Sequence, residues 1–188
     1  LGYKNVFWQD GYEADDVIAL LAGFLSVSEA GADCGSIVVS ADADLLQILA
    51  PLVSIWNPAK KKVITHVSFR QQWGIDPSQW VTAKAIAGCK TDCIEGVKGI
   101  GEKTACKWIS GRERVGPKAY QAIMNQLDCQ LARNRELIGL PFPGLDDSRF
   151  RIMKDQHTPD KWRRVCQRLG MRSLMRKAPT NAAQLFQS

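Results

Sequence analysis

The sequence predicts an α/β fold, in which a parallel sheet flanked by helices is followed by a helical region. Residues 13–25 carry apolar side chains at helical spacing, and the β-branched run at 36–40 is typical of a buried parallel strand. Farther along, glycines at 96, 99 and 101 mark a turn that leads into another helix. With 188 residues, the chain is long enough to bury a hydrophobic core.

Charge is distributed unevenly along the chain. The total is +6, but residues 1–58 contain one basic residue against eight acidic ones, and all the remaining positive charge lies in 59–188. An acidic part that binds metal ions, joined to a basic part that contacts phosphates, is what cleavage of phosphodiester bonds requires. The alternative is a basic surface that is merely solvated.

Composition restricts the cellular setting. The six cysteines form no C-x-x-C pair, which favours reduced thiols in a reducing compartment. No apolar run approaches the length needed to span a membrane, and no signal peptide is visible. The chain starts at Leu1 rather than Met, and 1–10 has the character of the middle of a domain, so we expect a longer parent protein.

Three carboxylates open the first predicted helix. Glu13, Asp15 and Asp16 are so close in sequence that they raise one another's pKa unless a cation lies between them. Acidic residues in a first helical turn also suit the helix dipole, which is the alternative explanation. Three such residues, with further acidic residues downstream, favour metal binding over that alternative.

Two further carboxylates, Asp42 and Asp44, follow the predicted strand at 36–40. The carboxyl ends of strands in an open α/β sheet are where ligands bind, although an Asp at this place is also a good helix cap. Asp92 precedes the glycine-rich turn and completes the candidate site. Oxygen ligands without a compact His/Cys cluster suit Mg²⁺ or Mn²⁺ rather than Zn²⁺.

The glycine-rich turn has the features of a phosphate-binding element. Gly96, Gly99 and Gly101 allow close approach of a backbone to a phosphate, and the helix that begins at Glu102 directs unpaired N–H groups toward it. An ordinary turn between two helices is the alternative, and the upstream acidic residues argue against it.

Local patterns predict the remaining elements. A short strand is expected at 6–8, a polar connection at 26–35, a short helix at 45–49 and a hairpin of 52–56 with 62–66. Helices are expected at 67–73, 77–87, 116–127, 128–138 and 159–169, the last one basic, with a proline-rich loop at 141–144.

Three blocks, 12–18, 40–45 and 92–105, resemble those of the metal-dependent 5′-nuclease family, in the family's order. This family includes the 5′→3′ exonuclease domain of bacterial DNA polymerase I, the phage 5′-exonucleases and the flap endonucleases. The resemblance implies a PIN-like sheet and a helix-three-turn-helix at 88–110. We therefore expect the later part of a nuclease core at 1–66, a helical DNA-binding region at 67–140 and a basic helical extension at 141–188.

The resemblance also implies an activity and its cofactors. We expect a 5′→3′ exonuclease or 5′-flap endonuclease with two Mg²⁺ or Mn²⁺ ions per site and K⁺ at the helix-three-turn-helix. Its partners would be DNA with 5′ ends, flaps or nicks, and a DNA polymerase, with no membrane. The expected location is the cytoplasm of a bacterium or of a phage-infected host.

Site residues are carried over position by position. The implied ligands are Glu13, Asp15 and Asp16, which serve one divalent ion or bridge to the other, and Asp42, Asp44 and Asp92, which serve the second. The implied K⁺ ligands are the carbonyls of Val97 and Ile100, and the implied DNA contacts are Lys98, Gly99, Gly101, Lys103 and Thr104.

This chain departs from the family pattern in two respects. Family members usually carry Asp where this chain has Cys89, and many have Asn where it has Cys93, so we expect a weaker second metal site or one that prefers a softer ion. The family's first strand and its helical arch have no counterpart after Leu1. We therefore expect these 188 residues alone to be a poor nuclease.

Two other functions remain open on the sequence. One is a DNA-binding family member whose metal cluster no longer supports catalysis. The other is a single-strand ribonuclease domain with the same acidic cluster, which is disfavoured because such a domain needs no turn that holds duplex phosphates.

Overall fold

The computed structural model describes residues 3–27, 35–89, 92–111, 115–125, 130–156 and 158–176. These belong to two compact units, one from Trp8 to Leu145 and one formed by Leu1–Phe7 with Asp146–Ser188. The predicted division into 1–66, 67–140 and 141–188 stays a prediction. None of the helices in the described ranges combines the length and apolar character that crossing a membrane requires.

Helices are the main regular elements of both units. The larger unit contains α1 (Ala14–Val27), α2 (His66–Trp73), α3 (Trp80–Ala87), α4 (Glu102–Ser110), α5 (Pro117–Met124) and α6 (Gln130–Ile138), with 3₁₀ turns at Asp44–Ile48 and Pro77–Gln79. The smaller unit contains a 3₁₀ turn at Asp147–Arg149, α7 (Pro159–Arg168) and α8 (Arg172–Met175). The predicted helices agree with these bounds, except that 126–129 and the predicted connection at 28–34 lie outside the described residues.

A three-stranded sheet forms the base of the larger unit. Its strands are β1 (Ser36–Val39), β2 (Val53–Asn57) and β3 (Lys62–Ile64), in the order β1-β2-β3. β1 runs parallel to β2, with Ser36 opposite Val53, and β3 returns antiparallel to β2 through the predicted hairpin. α1 packs on β1 and on the 3₁₀ turn that follows it. The predicted α/β fold is confirmed.

β1 is less buried than its sequence predicts. The β-branched run indicates a strand covered on both faces, but Ile37 and Val39 are 52% and 54% exposed. Both side chains lie on the face of the sheet that carries Ser54 and Trp56 of β2, which are themselves only half-buried, so this face is the less covered one. β2, which has a partner on each side, buries alternate side chains almost completely.

The hydrophobic core is centred on α3, which packs against α4, α6 and the 3₁₀ turns at Asp44–Ile48 and Pro77–Gln79. Trp80 and Phe69 are fully buried, and their rings meet edge to face with centroids 5.5 Å apart. Trp73 extends this aromatic cluster, its ring centroid 4.7 Å from that of Trp80. Such contacts stabilise by about 0.5–1.5 kcal/mol beyond the apolar area they bury. α3 is therefore held rigidly at the centre of the unit.

The strand predicted at 6–8 is wrong. In the described residues, 6–8 make no strand pairing, and Val6 is largely exposed. The preceding Asn5 instead uses its side chain, donating from Nδ2 to the Met153 carbonyl and accepting from the Met153 N–H. A side-chain amide thus pairs with the backbone in place of a strand ladder.

An ion pair at the start of the second 3₁₀ turn predicts a pH dependence of stability. Burial alone would raise the pKa of Asp76. Hydrogen bonds from Ser78 and His66 outweigh burial and lower this pKa below its usual value. A lowered pKa means that the charged form stabilises the fold above about pH 4 and that this contribution disappears as the pH falls further. The exposed pair contributes less than about 1 kcal/mol.

We expect Asp76→Asn, which keeps a capping oxygen, to be less stable than the wild type from pH 5 to 7. The difference should shrink once the pH falls below about 4, the ordinary pKa of Asp, and should disappear when Asp76 of the folded wild type has also taken up a proton. Urea unfolding over this pH range measures it. A difference that stays constant down to pH 3 would contradict the assignment.

Candidate metal centre

The six acidic residues singled out in the sequence line one cavity of about 500 Å³. They come from three segments: the start of α1, the turn after β1 and the loop after α3. They are Glu13, Asp15, Asp16, Asp42, Asp44 and Asp92. The opposite wall comes from the end of α6 and the residues after it, including Leu137 and Phe142. The fold thus gathers carboxylates that lie up to 79 positions apart in the chain.

Burial and the concentration of negative charge in the cavity raise the pKa of Asp15. The side chain is half-buried, and the nearby carboxylates of Asp42 and Glu13 add to the effect of burial. Asp44 and Asp16 act in the same direction. Nearby like charges disfavour ionisation in this way, and a cation between the groups would relieve it. The cavity therefore has the electrostatics of a cation site.

Asp16 differs from its neighbours because both of its oxygens already accept hydrogen bonds. Oδ2 accepts from the Glu13 N–H at 3.1 Å, which caps α1, and Oδ1 accepts from the Phe142 N–H at 2.7 Å. The side chain is only 6% exposed. These bonds account for its burial, since they tie the start of α1 to the loop after α6. Its predicted role as a metal ligand stays a prediction.

Asp16→Asn should destabilise the protein by about 1.5–3 kcal/mol, because an amide NH₂ would then face one of the two N–H donors. Urea unfolding without divalent ions measures the loss. Asp15→Asn is the matched control at the next position, and we expect it not to be destabilising because it removes like-charge repulsion. Equal losses in the two variants would contradict this assignment.

The turn that carries Asp42 and Asp44 is held by its own polar groups and by α3. Asp42 Oδ1 accepts from the Asp44 N–H at 2.8 Å, and the Asp42 N–H donates to Ser40 Oγ at 3.0 Å. The indole N–H of buried Trp80 donates to the Ala43 carbonyl at 2.8 Å. The central aromatic of the core thereby sets the position of the backbone between the two acidic residues.

Gln47 is a positioning residue that the sequence analysis missed. Its Nε2 donates to the carbonyls of Asp44 and Ile138, and its Oε1 accepts from the Leu140 N–H, all at 2.9–3.0 Å. This side chain joins the turn after β1 to the opposite wall of the cavity. A glutamine in an apolar 3₁₀ turn carries no sequence signal for such a contact, because its partners lie 91 and 93 positions away.

Lys84 is the second residue that the sequence analysis missed. It is buried in α3, with Nζ 3.0 Å from Asp44 Oδ1, 3.5 Å from Glu102 Oε1 and 4.0 Å from Cys89 Sγ. Burial alone would lower the pKa of Lys84, but these negative groups outweigh it and raise the pKa. The one available sequence signal is a lysine inside the apolar run of α3. Its charge offsets part of the negative charge of the cavity.

Asp44 and Asp92 approach each other beside Cys89. One ligand atom from each of these three residues lies within 4.8 Å of the other two. Cys89 is buried at the end of α3, and its Sγ lies 2.8 Å from Asp92 Oδ2. The loop is held by paired backbone hydrogen bonds of 2.9 Å between Cys89 and Ile94.

Close backbone packing explains two glycines at the entrance to the turn. A Cβ on Gly96 would lie 2.3 Å from the Ala87 carbonyl carbon and the Gly88 nitrogen. Gly88 has a φ of +77°, and a Cβ there would lie 2.4 Å from the Gly96 nitrogen. Packing against the end of α3 therefore requires a glycine at 96, and no approach of a phosphate is needed to explain it.

The rest of the turn faces open space. Gly99, with a φ of +80°, and Gly101 have no atom within 4 Å of a Cβ position, and both are exposed. Lys98 and Lys103 are exposed and Thr104 is half-buried, so all five implied DNA contacts lie in or next to this open turn. Val97 and Ile100 bury their side chains, and the Val97 carbonyl accepts from the Ile100 N–H at 3.0 Å.

Comparison with known proteins identifies the family. Residues 3–74 match the family model described as the 5′-3′ exonuclease, N-terminal resolvase-like domain. A 5′-3′ exonuclease of Bacillus subtilis is 35% identical over 174 residues, which cover 83% of this chain and 57% of that protein. The chain belongs to the 5′-nuclease family. A thermostable DNA polymerase I of Thermus thermophilus, another relative, is 41% identical over 99 residues, 53% of this chain and 11% of the polymerase.

A solved structure supports the fold of this 5′-nuclease family member. T5 5′-exonuclease, in a structure with bound divalent metal ions (zinc), superposes with a TM-score of 0.60 at 24% identity, covering 72% of this chain and 52% of that one. The predicted PIN-like fold is confirmed, whereas the helix-three-turn-helix stays a prediction. The chain spans about half the length of T5 5′-exonuclease and of the Bacillus relative.

Proposed function

We propose that this protein is a divalent-metal-dependent 5′→3′ exonuclease or 5′-flap endonuclease acting on DNA. The observation that carries the proposal is the gathering of the predicted acidic residues around one cavity next to an open, basic glycine turn. Family membership and the names of the relatives support the same activity.

The donor set of the cavity fits hard divalent cations. Glu13, Asp15 and Asp42 offer carboxylate oxygens, and among the described residues none of the three has hydrogen-bond donors on both of its oxygens. Two divalent ions held here would supply an activated water and stabilise the charge on the scissile phosphate. In this proposal Glu13, Asp15 and Asp16 hold one Mg²⁺ or Mn²⁺, and Asp42, Asp44 and Asp92 hold a second divalent ion.

The open turn is proposed to bind the DNA backbone beside the cavity. The exposed ammonium groups of Lys98 and Lys103 would contact phosphates, and Gly99, Gly101 and Thr104 would let a phosphate approach the start of α4. Val97 and Ile100 are proposed to present carbonyls to K⁺. Lys84 pairs with both Asp44 and Glu102, so it physically links the cavity to α4. DNA with 5′ ends, flaps or nicks is the proposed substrate, and a DNA polymerase is a proposed partner.

Cleavage of a labelled 5′-flap duplex by an excess of the protein over DNA, under single-turnover conditions, tests the activity. We expect cleavage that requires Mg²⁺ or Mn²⁺ and is lost in EDTA, and that Asp42→Asn reduces at least about a hundredfold, since metal charge stabilisation is worth several kcal/mol. Asp10→Asn, an exposed acidic residue outside the cavity lining, is the matched control and should cleave normally.

Failure would take one of two forms. If the duplex binds but is not cut in either metal, the DNA-binding function without catalysis is favoured. If cutting is unaffected by Asp42→Asn, the cavity is not the active site.

A further inference from the structure

Cys89 lies beside two carboxylates of the cavity, those of Asp44 and Asp92, as a sulfur donor. It is 9% exposed, its Sγ is 2.8 Å from Asp92 Oδ2, and it belongs with Asp44 and Asp92 to a group whose ligand atoms lie within 4.8 Å of one another. We propose that Cys89 is a thiolate ligand, and that this trio selects thiophilic divalent ions such as Zn²⁺ over Mg²⁺. The inference rests on the proposed function only in assigning a divalent ion to this cavity.

The donor chemistry separates these ions. Mg²⁺ demands near-octahedral coordination by oxygen at about 2.0–2.1 Å, and sulfur is a poor substitute. Zn²⁺ accepts thiolate at about 2.3 Å and carboxylate oxygen at about 2.0–2.2 Å, in sites with three protein ligands and one open position. One sulfur and two carboxylates from Asp44, Cys89 and Asp92 are such a set, and a spread of 4.8 Å accommodates a tetrahedral ion with small side-chain shifts.

The charge of the group also matches a divalent ion. A thiolate and two carboxylates carry three negative charges, and the ammonium of Lys84, 3.0 Å from Asp44 Oδ1, offsets one of them. Two negative charges then remain for a doubly charged cation. Because the ion pair with Lys84 is made by Asp44 Oδ1, Oδ2 is the oxygen proposed to coordinate the ion.

Metal binding replaces the S–H bond of Cys89 with a sulfur–metal bond. The S–H bond of Cys89 breaks, the proton passes to solvent, and a sulfur–metal bond forms with the sulfur electron pair, with no change in oxidation state. The contact between Sγ and Asp92 Oδ2 opens at the same time. Asp92 is exposed, so its carboxylate can move without disturbing the core.

Cd²⁺ is a suitable probe, because its bonds to thiolate absorb in the ultraviolet. The protein without DNA is titrated with Cd²⁺ alone, and Cys93→Ser is the matched control, since Cys93 is exposed four positions later in the same loop. We expect one equivalent to develop the absorption in the wild type and in Cys93→Ser. Cys89→Ser should lose the absorption and bind Cd²⁺ at least about tenfold more weakly. Buried Cys106 does not compete, because burial raises its pKa to about 11.

Cys89→Asp gives a second measurement that does not depend on the serine variant folding. It should lose the absorption and bind Mg²⁺ at least about tenfold more tightly than the wild type. In the wild type, Mg²⁺ in excess should not displace Cd²⁺.

Three outcomes would overturn the proposal: absorption that persists in Cys89→Ser, absorption that disappears in Cys93→Ser, or displacement of Cd²⁺ by Mg²⁺ in the wild type. These readouts use no DNA, so a failed cleavage assay with intact Cd²⁺ absorption would count against the nuclease function alone.

Discussion

Asp15→Asn is expected to stabilise the metal-free protein and at the same time to slow cleavage strongly. Burial and the surrounding carboxylates, above all Asp42 and Glu13, raise the pKa of Asp15, so its charge is unfavourable in the folded state without a cation. The neutral amide removes this repulsion and should add up to about 1 kcal/mol of stability. For a chain of this size, that raises Tm by about 2–4 °C.

The same variant should cleave a 5′ flap at least about a hundredfold more slowly, because it removes a proposed metal ligand. It should also lose part of the thermal stabilisation that Mg²⁺ or Mn²⁺ gives the wild type. Thermal unfolding with and without the metal ion, and single-turnover cleavage, measure the two effects. Asp10→Asn should leave all three quantities unchanged. A loss of metal-free stability in Asp15→Asn would show that Asp15 has a structural role instead.

Gly96→Ala is expected to cause the largest loss of stability among these variants. The new Cβ would lie 2.3–2.4 Å from three backbone atoms of Ala87 and Gly88, distances that real side chains do not adopt. The end of α3 and the turn must therefore separate, which breaks the 2.7 Å hydrogen bond from the Val97 N–H to the Ile86 carbonyl. We expect a loss of about 3 kcal/mol or more in urea unfolding.

Gly101→Ala, at the other end of the same turn, is the matched control. Its Cβ would meet no atom within 4 Å, and its φ of −102° suits any residue. Because alanine is a poorer helix N-cap than glycine, we expect a loss of no more than about 1 kcal/mol. The new methyl group would lie where a phosphate is proposed to approach α4, so duplex DNA affinity should fall although the protein stays folded. Comparable destabilisation by both variants would contradict the packing argument.

The sequence predicted the helices and the strand pair because these depend on short-range patterns. Apolar residues at helical spacing define α1, a proline after Asp76 marks the start of the second 3₁₀ turn, and β-formers around Asn57 define the hairpin. The failure at 6–8 has the opposite cause. β-forming residues become a strand only when a partner strand accepts their backbone hydrogen bonds. At Met153, the side chain of Asn5, not a strand backbone, makes the hydrogen bonds to the Met153 N–H and carbonyl.

Within the candidate site, the sequence itself determined which acidic residues to consider, since their identity and their position at the ends of predicted elements are local properties. Their environments were decided only by the tertiary structure. Asp15 and Asp16 are adjacent, yet one faces like charges while the other accepts two backbone hydrogen bonds, one of them from Phe142 at 126 positions' distance. The roles of Lys84 and Gln47 also depend on the tertiary structure, because their partners come close only when α3 and α6 pack beside the turn after β1. Side-chain chemistry can be inferred from a local pattern, but the hydrogen-bond and charge partners that give each group its role are supplied by contacts between distant parts of the chain.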